Sequence, residues 1–328
     1  MSTVWARCVR GLEPVVAEEI AASGLGTVVD SSHRNVLLDA PGPEGALALR
    51  TVDDVYLLVG DVRDIVRERA SLARLAAAVD DLPLQIAPND RSIGVTASFL
   101  GKRNYNRFEL EDAVGGALAA RLSQSYVSRT SGGVPPPDAA AWRVHVEDDR
   151  ALIGLRLASA PLHRRGYKVA APPGTLHPPV AAAMAMLAGV HDVDVVLDPT
   201  AGAGTLLVEA AALAPASNTI GVDIDDAMTR AALANGARVA RGDAASLPLR
   251  AHSVDVVLAN LPWGRQAPLV GSLDGVWSEI VRVLRPAGGR SRVAVLSESE
   301  LDPPLPILRQ LPLSLMGSHP MLTVLGPA

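Results

Sequence analysis

Cysteine is nearly missing from this 328-residue chain, where Cys8 stands alone. One thiol forms neither an internal disulfide nor a thiolate metal cluster, so disulfide scaffolds and zinc-thiolate folds are excluded. Lysine is almost as scarce: Lys102 and Lys168 are the only two, and arginine supplies the rest of the 30 basic residues. The planar guanidinium suits phosphate and base recognition, although a GC-rich genome produces the same bias. No apolar run reaches membrane-spanning length and no charged-then-apolar leader opens the chain, so a soluble, cytoplasmic protein with no membrane partner is expected. The seven histidines are scattered without ligand spacing, so no metal is expected, and His177, ahead of two prolines, reads as a linker residue. A formal net charge of -5 excludes binding of a polyanion by bulk charge alone. Any nucleic acid partner would need a local basic surface.

What the chain does have is apolar mass, 48% of residues, enough for two or three cores. The first sixty residues read as strand Trp5–Arg10, helix Glu13–Ser23, strands Thr27–Asp30 and Asn35–Ala40, helix Glu44–Arg50 and strand Tyr56–Val62, a β-α-β-β-α-β ferredoxin-like unit. A second mixed segment follows, with helices at Leu72–Val79 and Glu109–Leu122 and strands at Ile93–Phe99, Trp142–Val146 and Ala151–Leu157. Residues 161–178, rich in proline and basic side chains and without hydrophobic period, read as a linker. From Val193 strands and helices alternate as in a parallel sheet covered on both faces. Candidate strands at Leu313–Met316 and Met321–Leu325 close the chain as a hairpin. The expected organisation is α/β overall: an N-terminal ferredoxin-like unit (1–62), a second α+β domain (63–160), a linker (161–178) and a Rossmann-like domain (179–328).

Chemistry concentrates at four successive strand ends of that last domain. Asp198-Pro199-Thr200-Ala201-Gly202-Ala203-Gly204-Thr205 follows an apolar strand and opens a helix, where glycines let backbone N–H groups approach a ligand. A dinucleotide fold would place a third glycine where Leu207 stands. Asp223 and Ile224 end the next strand, where a carboxylate can accept both ribose hydroxyls of an adenosine. Asp243 and Ala244 end the one after, within reach of an adenine edge. Ligands bind at the carboxyl edge of open α/β sheets, and these sites converge there. The fourth element, Asn260-Leu261-Pro262-Trp263-Gly264, supplies a side-chain oxygen, a backbone carbonyl, a stiff turn and a flat ring. An exocyclic base amine is a poor nucleophile because its lone pair is delocalised. Asn260 and the Leu261 carbonyl could accept its N–H bonds while Trp263 stacks on a flipped-out base.

The pair DPTAGAGT and NLPWG resembles class I methyltransferases that modify exocyclic amines, with Leu261 where the common pattern has a first proline. The N-terminal half is similar to THUMP-domain RNA methyltransferases, and the basic stretch LHRRGYK before His177-Pro178-Pro179 is like the join that precedes their catalytic domain. Within that family the likeness is greatest to tRNA guanine-N2 methyltransferases. The resemblance implies a THUMP domain over residues 63–160 and S-adenosylmethionine as cofactor. It assigns the cofactor to Asp198, Pro199, Thr200, Gly202, Gly204, Thr205, Asp223, Ile224, Asp243, Ala244 and Asn260. The base would fall to Asn260, Leu261, Pro262 and Trp263.

For tRNA or another structured RNA, two basic clusters are candidates. Lys102, Arg103, Tyr105 and Arg107 mix charge with rings in one loop, and Arg164, Arg165 and Lys168 lie in the linker. Arg63, Arg67, Arg69 and Arg74 interleave with acids and read as salt-bridged instead. An adenine-N6 methyltransferase on RNA or DNA, a protein glutamine methyltransferase, and a non-catalytic RNA-binding factor remain as alternatives.

Overall fold

The computed structural model describes residues 1–84, 92–261, 273–286, 291–298, 301–315 and 317–326. The N-terminal half begins with β1 (Ser2–Arg7), α1 (Glu13–Ser23), β2 (Thr27–Ser32), β3 (Asn35–Ala40) and β4 (Asp54–Val62). Val4 and Ala6 alternate along β1 with Trp5 and Arg7, and only the first pair joins the core with Val15, Val16 and Ile20 of α1. The helix stops at Gly24, whose φ of 65° a residue without Cβ adopts readily. These strands pair antiparallel in the order β2-β3-β1-β4, as a split β-α-β-β-α-β unit requires. The helix expected over Glu44–Arg50 is instead a 3-10 segment, Pro43–Ala48. A six-residue stretch containing proline and glycine is too short to sustain an α-helix.

The chain continues through α2 (Ala70–Ala78), β5 (Ile93–Phe99), α3 (Arg107–Leu122), β6 (Ala140–Glu147) and β7 (Arg150–Arg156). β7 pairs with β4, and β6 and β5 follow, so one seven-stranded sheet runs across the expected boundary at residues 62 and 63. Beneath β5 to β7 lies a second core, built on Leu75, Leu110, Trp142 and Ile153. α3 opens with a capping box: Asn106 accepts from the amides of Phe108 and Glu109, and Glu109 reaches back to the Asn106 amide. Arg107 and Phe108 therefore belong to a helix rather than to the preceding loop.

The second half comprises α4 (Pro178–Leu187), β8 (Val195–Asp198), α5 (Thr205–Leu213), β9 (Asn218–Asp223), α6 (Asp226–Ala234), β10 (Val239–Arg241), β11 (Val256–Asn260), α7 (Leu273–Val283), β12 (Arg292–Ser297), β13 (Ile307–Pro312) and β14 (Met321–Leu325). Its sheet order is β10-β9-β8-β11-β12-β14-β13, parallel from β10 to β12, with β14 antiparallel to both its neighbours. The terminal hairpin forms, but its first strand is Ile307–Pro312 rather than Leu313–Met316. Leu313 and Leu315 leave the sheet to join an apolar core shared with Val9, Leu12 and Val16. That core, with Val180 and Met184 of α4, fastens the N-terminal half to the second half. A hydrogen bond of 2.6 Å from His177 to Asp53 adds to the join. Burial pushes the Asp53 carboxyl up, yet His177 and Arg34 outweigh it and hold the group below its usual range.

Candidate active site

In the second sheet the strand order reverses between β8 and β11, because β9 and β10 lie to one side and β12 to the other. Connections diverge at such a switch point and leave a crevice at the carboxyl ends. Asp198 ends β8 and Asn260 ends β11, and the hydroxyl of Thr200 donates to the Asn260 carbonyl at 3.4 Å. The glycine turn and the Asn260 motif thus share one edge of the sheet.

The two turn glycines meet different demands. Gly204 has φ 77°, and a Cβ there would lie 2.4 Å from the Ala237 methyl, so the start of α5 packs too closely for any side chain. Gly202 has φ 51°, and a Cβ would meet nothing within 4 Å. Open space above a left-handed glycine is what a bound ligand needs. Asp223 shapes this turn: its two oxygens accept from the amides of Gly202 at 2.7 Å and Asp225 at 2.8 Å. A carboxylate offers about four acceptor sites, so capacity remains on each oxygen for a vicinal diol. Beside it Ile224 is 44% exposed, an apolar surface suited to an adenine ring. Asp243 is exposed and caps the Ala245 amide at 2.8 Å, while Ala244 packs on the core.

Asp198 lies beneath the turn, 1% exposed, accepting from the Thr200 amide at 3.0 Å. Burial pushes its carboxyl up to about 8; the Thr200 bond opposes this and the Asp223 charge adds to it. Thr205 opens α5 with a buried hydroxyl that has no hydrogen-bond partner among the described residues. Asn260 likewise carries a buried side-chain oxygen without a hydrogen-bond partner among the described residues. Buried acceptors normally find donors, so both atoms fit a site awaiting a polar ligand. Leu261 is buried and its amide donates to the Leu296 carbonyl at 3.2 Å. Pro262, Trp263 and Gly264 lie outside the described residues. Glycine turn, diol acceptor, apolar ledge and unpartnered asparagine together fit an adenosine-bearing cofactor beside an amine.

The expected RNA contacts fare unevenly. Lys102, Arg107 and Arg164 are exposed, with Arg107 lying 4.7 Å from the Phe108 ring. Tyr105 is 4% exposed and packs in the second core, edge-on to Phe99, which leaves no free face for a base. Arg103 donates to the carbonyls of Ile65 at 3.0 Å and Asp148 at 2.6 Å. Lys168 donates to the Leu176 carbonyl. Arg165 faces inward to Glu209 at 3.0 Å. The Arg63, Arg67, Arg69 and Arg74 group is ion-paired as expected, with the first three ahead of α2 and Arg74 inside it.

Two residues escaped the sequence reading. Glu209 of α5, with a fully buried side chain, accepts from Arg50 of the N-terminal half and from Arg165 and Tyr167 of the linker. Asn235, 3% exposed, bonds both the amide and the carbonyl of linker Ala170 and also the carbonyl of Ala203, between the two turn glycines. A lone carboxylate in the apolar run TLLVEAAAL is the only sequence signal for the first, and an Asn-Gly pair at the end of α6 is common to ordinary helix ends.

A family model described as an RMKL-like methyltransferase domain matches residues 165–304. The tRNA (guanine(6)-N2)-methyltransferase of Thermus thermophilus is 33% identical over 313 residues, covering 90% of this chain and 90% of that protein. The mouse U6 snRNA (guanine-N(2))-methyltransferase THUMPD2 is 32% identical over 163 residues, which span 47% of this chain and 30% of that protein. The crystal structure of TrmN from Thermus thermophilus matches with a TM-score of 0.81 at 29% identity, over 100% of both chains. SMU.472, a putative methyltransferase complexed with SAH, shares the fold at a TM-score of 0.75 and 16% identity, over 100% of this chain and 98% of that one. By these likenesses and by its strand-end crevice, this chain belongs to the S-adenosylmethionine-dependent class I RNA methyltransferases that include the tRNA guanine-N2 enzymes.

Proposed function

We propose that this enzyme methylates the exocyclic N2 of a guanosine in tRNA. The observation that carries the reading is the Thr200–Asn260 contact, which sets an unpartnered asparagine oxygen beside the glycine turn. Bound S-adenosylmethionine supplies an electrophilic methyl group on a good sulfonium leaving group. Asp223 and Ile224 would hold the adenosine, and the open space over Gly202 would admit the rest of the cofactor. The Asn260 oxygen would accept one N–H of the base amine, drawing its lone pair out of conjugation and aiming it at the methyl carbon. A second acceptor at the Leu261 carbonyl would hold the other N–H; as the N–C bond forms and the S–C bond breaks, the nitrogen gives up one proton to solvent. Pro262 and Trp263 complete the base site in this reading.

Guanine is favoured over adenine because the long match, covering 90% of the chain, is to a protein named as a guanine-N2 enzyme. The reading places the protein in the cytoplasm with tRNA as its partner. Among the described residues no helix is long and apolar enough to cross a membrane. The deciding experiment is nucleoside mass analysis of total tRNA from cells with and without the protein. Loss of an N2-methylguanosine signal is expected; loss of N6-methyladenosine instead would move the enzyme to the adenine class.

A further inference from the structure

Among the described residues, one face of the N-terminal sheet is covered by no helix. α1, α2 and α3 pack against the side bearing Val4, Val36, Val95, Val144 and Ile153. The opposite side carries Trp5, Leu37, Tyr56 and Leu152 as an apolar floor. That floor is nevertheless almost fully buried, because the sheet curls. Ser32 of β2 donates to Glu147 at 2.8 Å, and Arg150 of β7 pairs with Asp30 of β2, although three strands separate β2 from β7 in the sheet order. The face is therefore the inside of a trough.

The trough holds four guanidiniums, those of Arg7, Arg34, Arg143 and Arg156, together with the imidazoles of His33 and His145. Arg34 pairs with Asp53 at 3.1 Å and Arg156 with Asp54 at 2.7 Å. Arg7 and Arg143 have no such partner: among the described residues neither guanidinium has a carboxylate at ion-pair distance. Arg7, 7% exposed, donates to the neutral Asn35 amide at 3.1 Å and lies 5.6 Å from the Trp5 ring. Arg143 donates to the Ser98 hydroxyl at 2.9 Å, and its Nε is buried without a partner. His145, 4% exposed, has an unpartnered Nε2, 3.9 Å from Glu147, and the Nδ1 of His33 is also buried and unpartnered. Burial lowers Arg7 to about 9, with repulsion from Arg143 and Arg34 adding to it. Burial also lowers His145, to about 3, and the neighbouring Arg7, Arg143, His33 and Arg34 deepen the shift. Proteins rarely bury unpaired charge, and here two guanidiniums and several idle N–H positions converge. A cleft of about 700 Å³, lined by Arg10, Glu13, Ser32 and His33, lies beside the His33 turn.

We propose that this trough is an anion site which takes a backbone phosphate of the RNA substrate, with Arg7 and Arg143 as its principal ligands. The inference rests on the RNA reading given above and adds a site distinct from the loop at Lys102 and from the methyl-transfer crevice. A phosphate would supply the missing negative charge and accept from both guanidiniums, the pattern that positions nucleic acid without reading its sequence.

The test uses the full chain with Arg143→Gln, Arg143→Lys and a tRNA that the wild-type enzyme methylates. In phosphate-free, low-salt buffer the Gln variant is expected to be at least as stable as wild type, since it removes an unpaired buried charge. Inorganic phosphate should raise the melting temperature of wild type and not of the Gln variant. The Gln variant should lose about tenfold in tRNA affinity and about one unit of the slope of log affinity against log salt. Its affinity for S-adenosylhomocysteine and its kcat at saturating tRNA should be unchanged, and the Lys variant should recover part of the loss. A Gln variant with wild-type tRNA affinity and salt slope overturns the proposal. A phosphate-induced shift without any change in tRNA binding assigns the site to free phosphate and overturns the RNA assignment. A wild-type protein that methylates no tRNA refutes the functional reading instead, and is seen before any variant is made.

Discussion

Asn260 and Asp198 stand at the ends of the two strands that flank the switch point, and their chemistry differs. Asn260 offers an unpartnered acceptor, and under the proposed function its contribution lies in aligning an amine rather than in binding cofactor. Asn260→Ala is expected to lower single-turnover methylation by about a hundredfold or more, as for loss of one preorganised polar contact. Cofactor affinity, measured by calorimetry, should change little. Asp198 is a buried acid raised to about 8. The folded state therefore holds a proton that the unfolded chain releases near the ordinary carboxylate value, and wild type loses stability as pH rises from about 4 to about 8. Asp198→Asn cannot titrate and should remove that slope. Denaturant unfolding at pH 6 and pH 8 should show the variant gaining on wild type by about 2 kcal/mol over that interval. An equal gap at both values would show that Asp198 is ionised throughout. These residues were legible in the sequence because each lies in a short contiguous motif whose backbone geometry is local.

At the scale of elements, local patterns were read well where periodicity and end signals agreed, as in α1, α3 and β5. α4 was missed because PPVAAAMAML is apolar on every side, and Pro178 through Ala185 are all buried. A helix buried all round has no polar face to mark its period. The linker also proved more than a spacer, since Asn235 at the end of α6 grips Ala170 and, through the same amide nitrogen, Ala203 of the cofactor turn. Asn235→Ala would leave buried backbone groups unsatisfied, at a cost of about 1–3 kcal/mol. Cofactor affinity is expected to fall about tenfold by titration, with kcat at saturating cofactor within about twofold of wild type. If cofactor affinity stays at the wild-type value, the turn holds its shape without the linker.

Across the whole molecule, Glu209 is where three parts of the chain meet: α5, the N-terminal half through Arg50, and the linker through Arg165 and Tyr167. Its oxygens hold a guanidinium, that of Arg165, which is only 11% exposed. Glu209→Ala would strand that charge and should reduce unfolding free energy by about 3–5 kcal/mol in a denaturant titration. Glu209→Gln, which keeps acceptor geometry on one oxygen, should cost less. A loss within experimental error in the Ala variant would mean that solvent reaches Arg165 freely.

The sequence by itself determined the parallel sheet, the glycine turn, the acids at successive strand ends and the Asn260 motif, because strand-end motifs carry their geometry within a few residues. Only the tertiary structure decided that the N-terminal strands join one curled sheet. It alone turned Tyr105 and Arg165 inward, brought Glu209 to Arg50, and gathered unpaired arginines in a trough. Those outcomes depend on which distant side chains share a space and how much water is left there. Burial and charge balance are properties of the packed chain, and they leave no signature in any short stretch of residues.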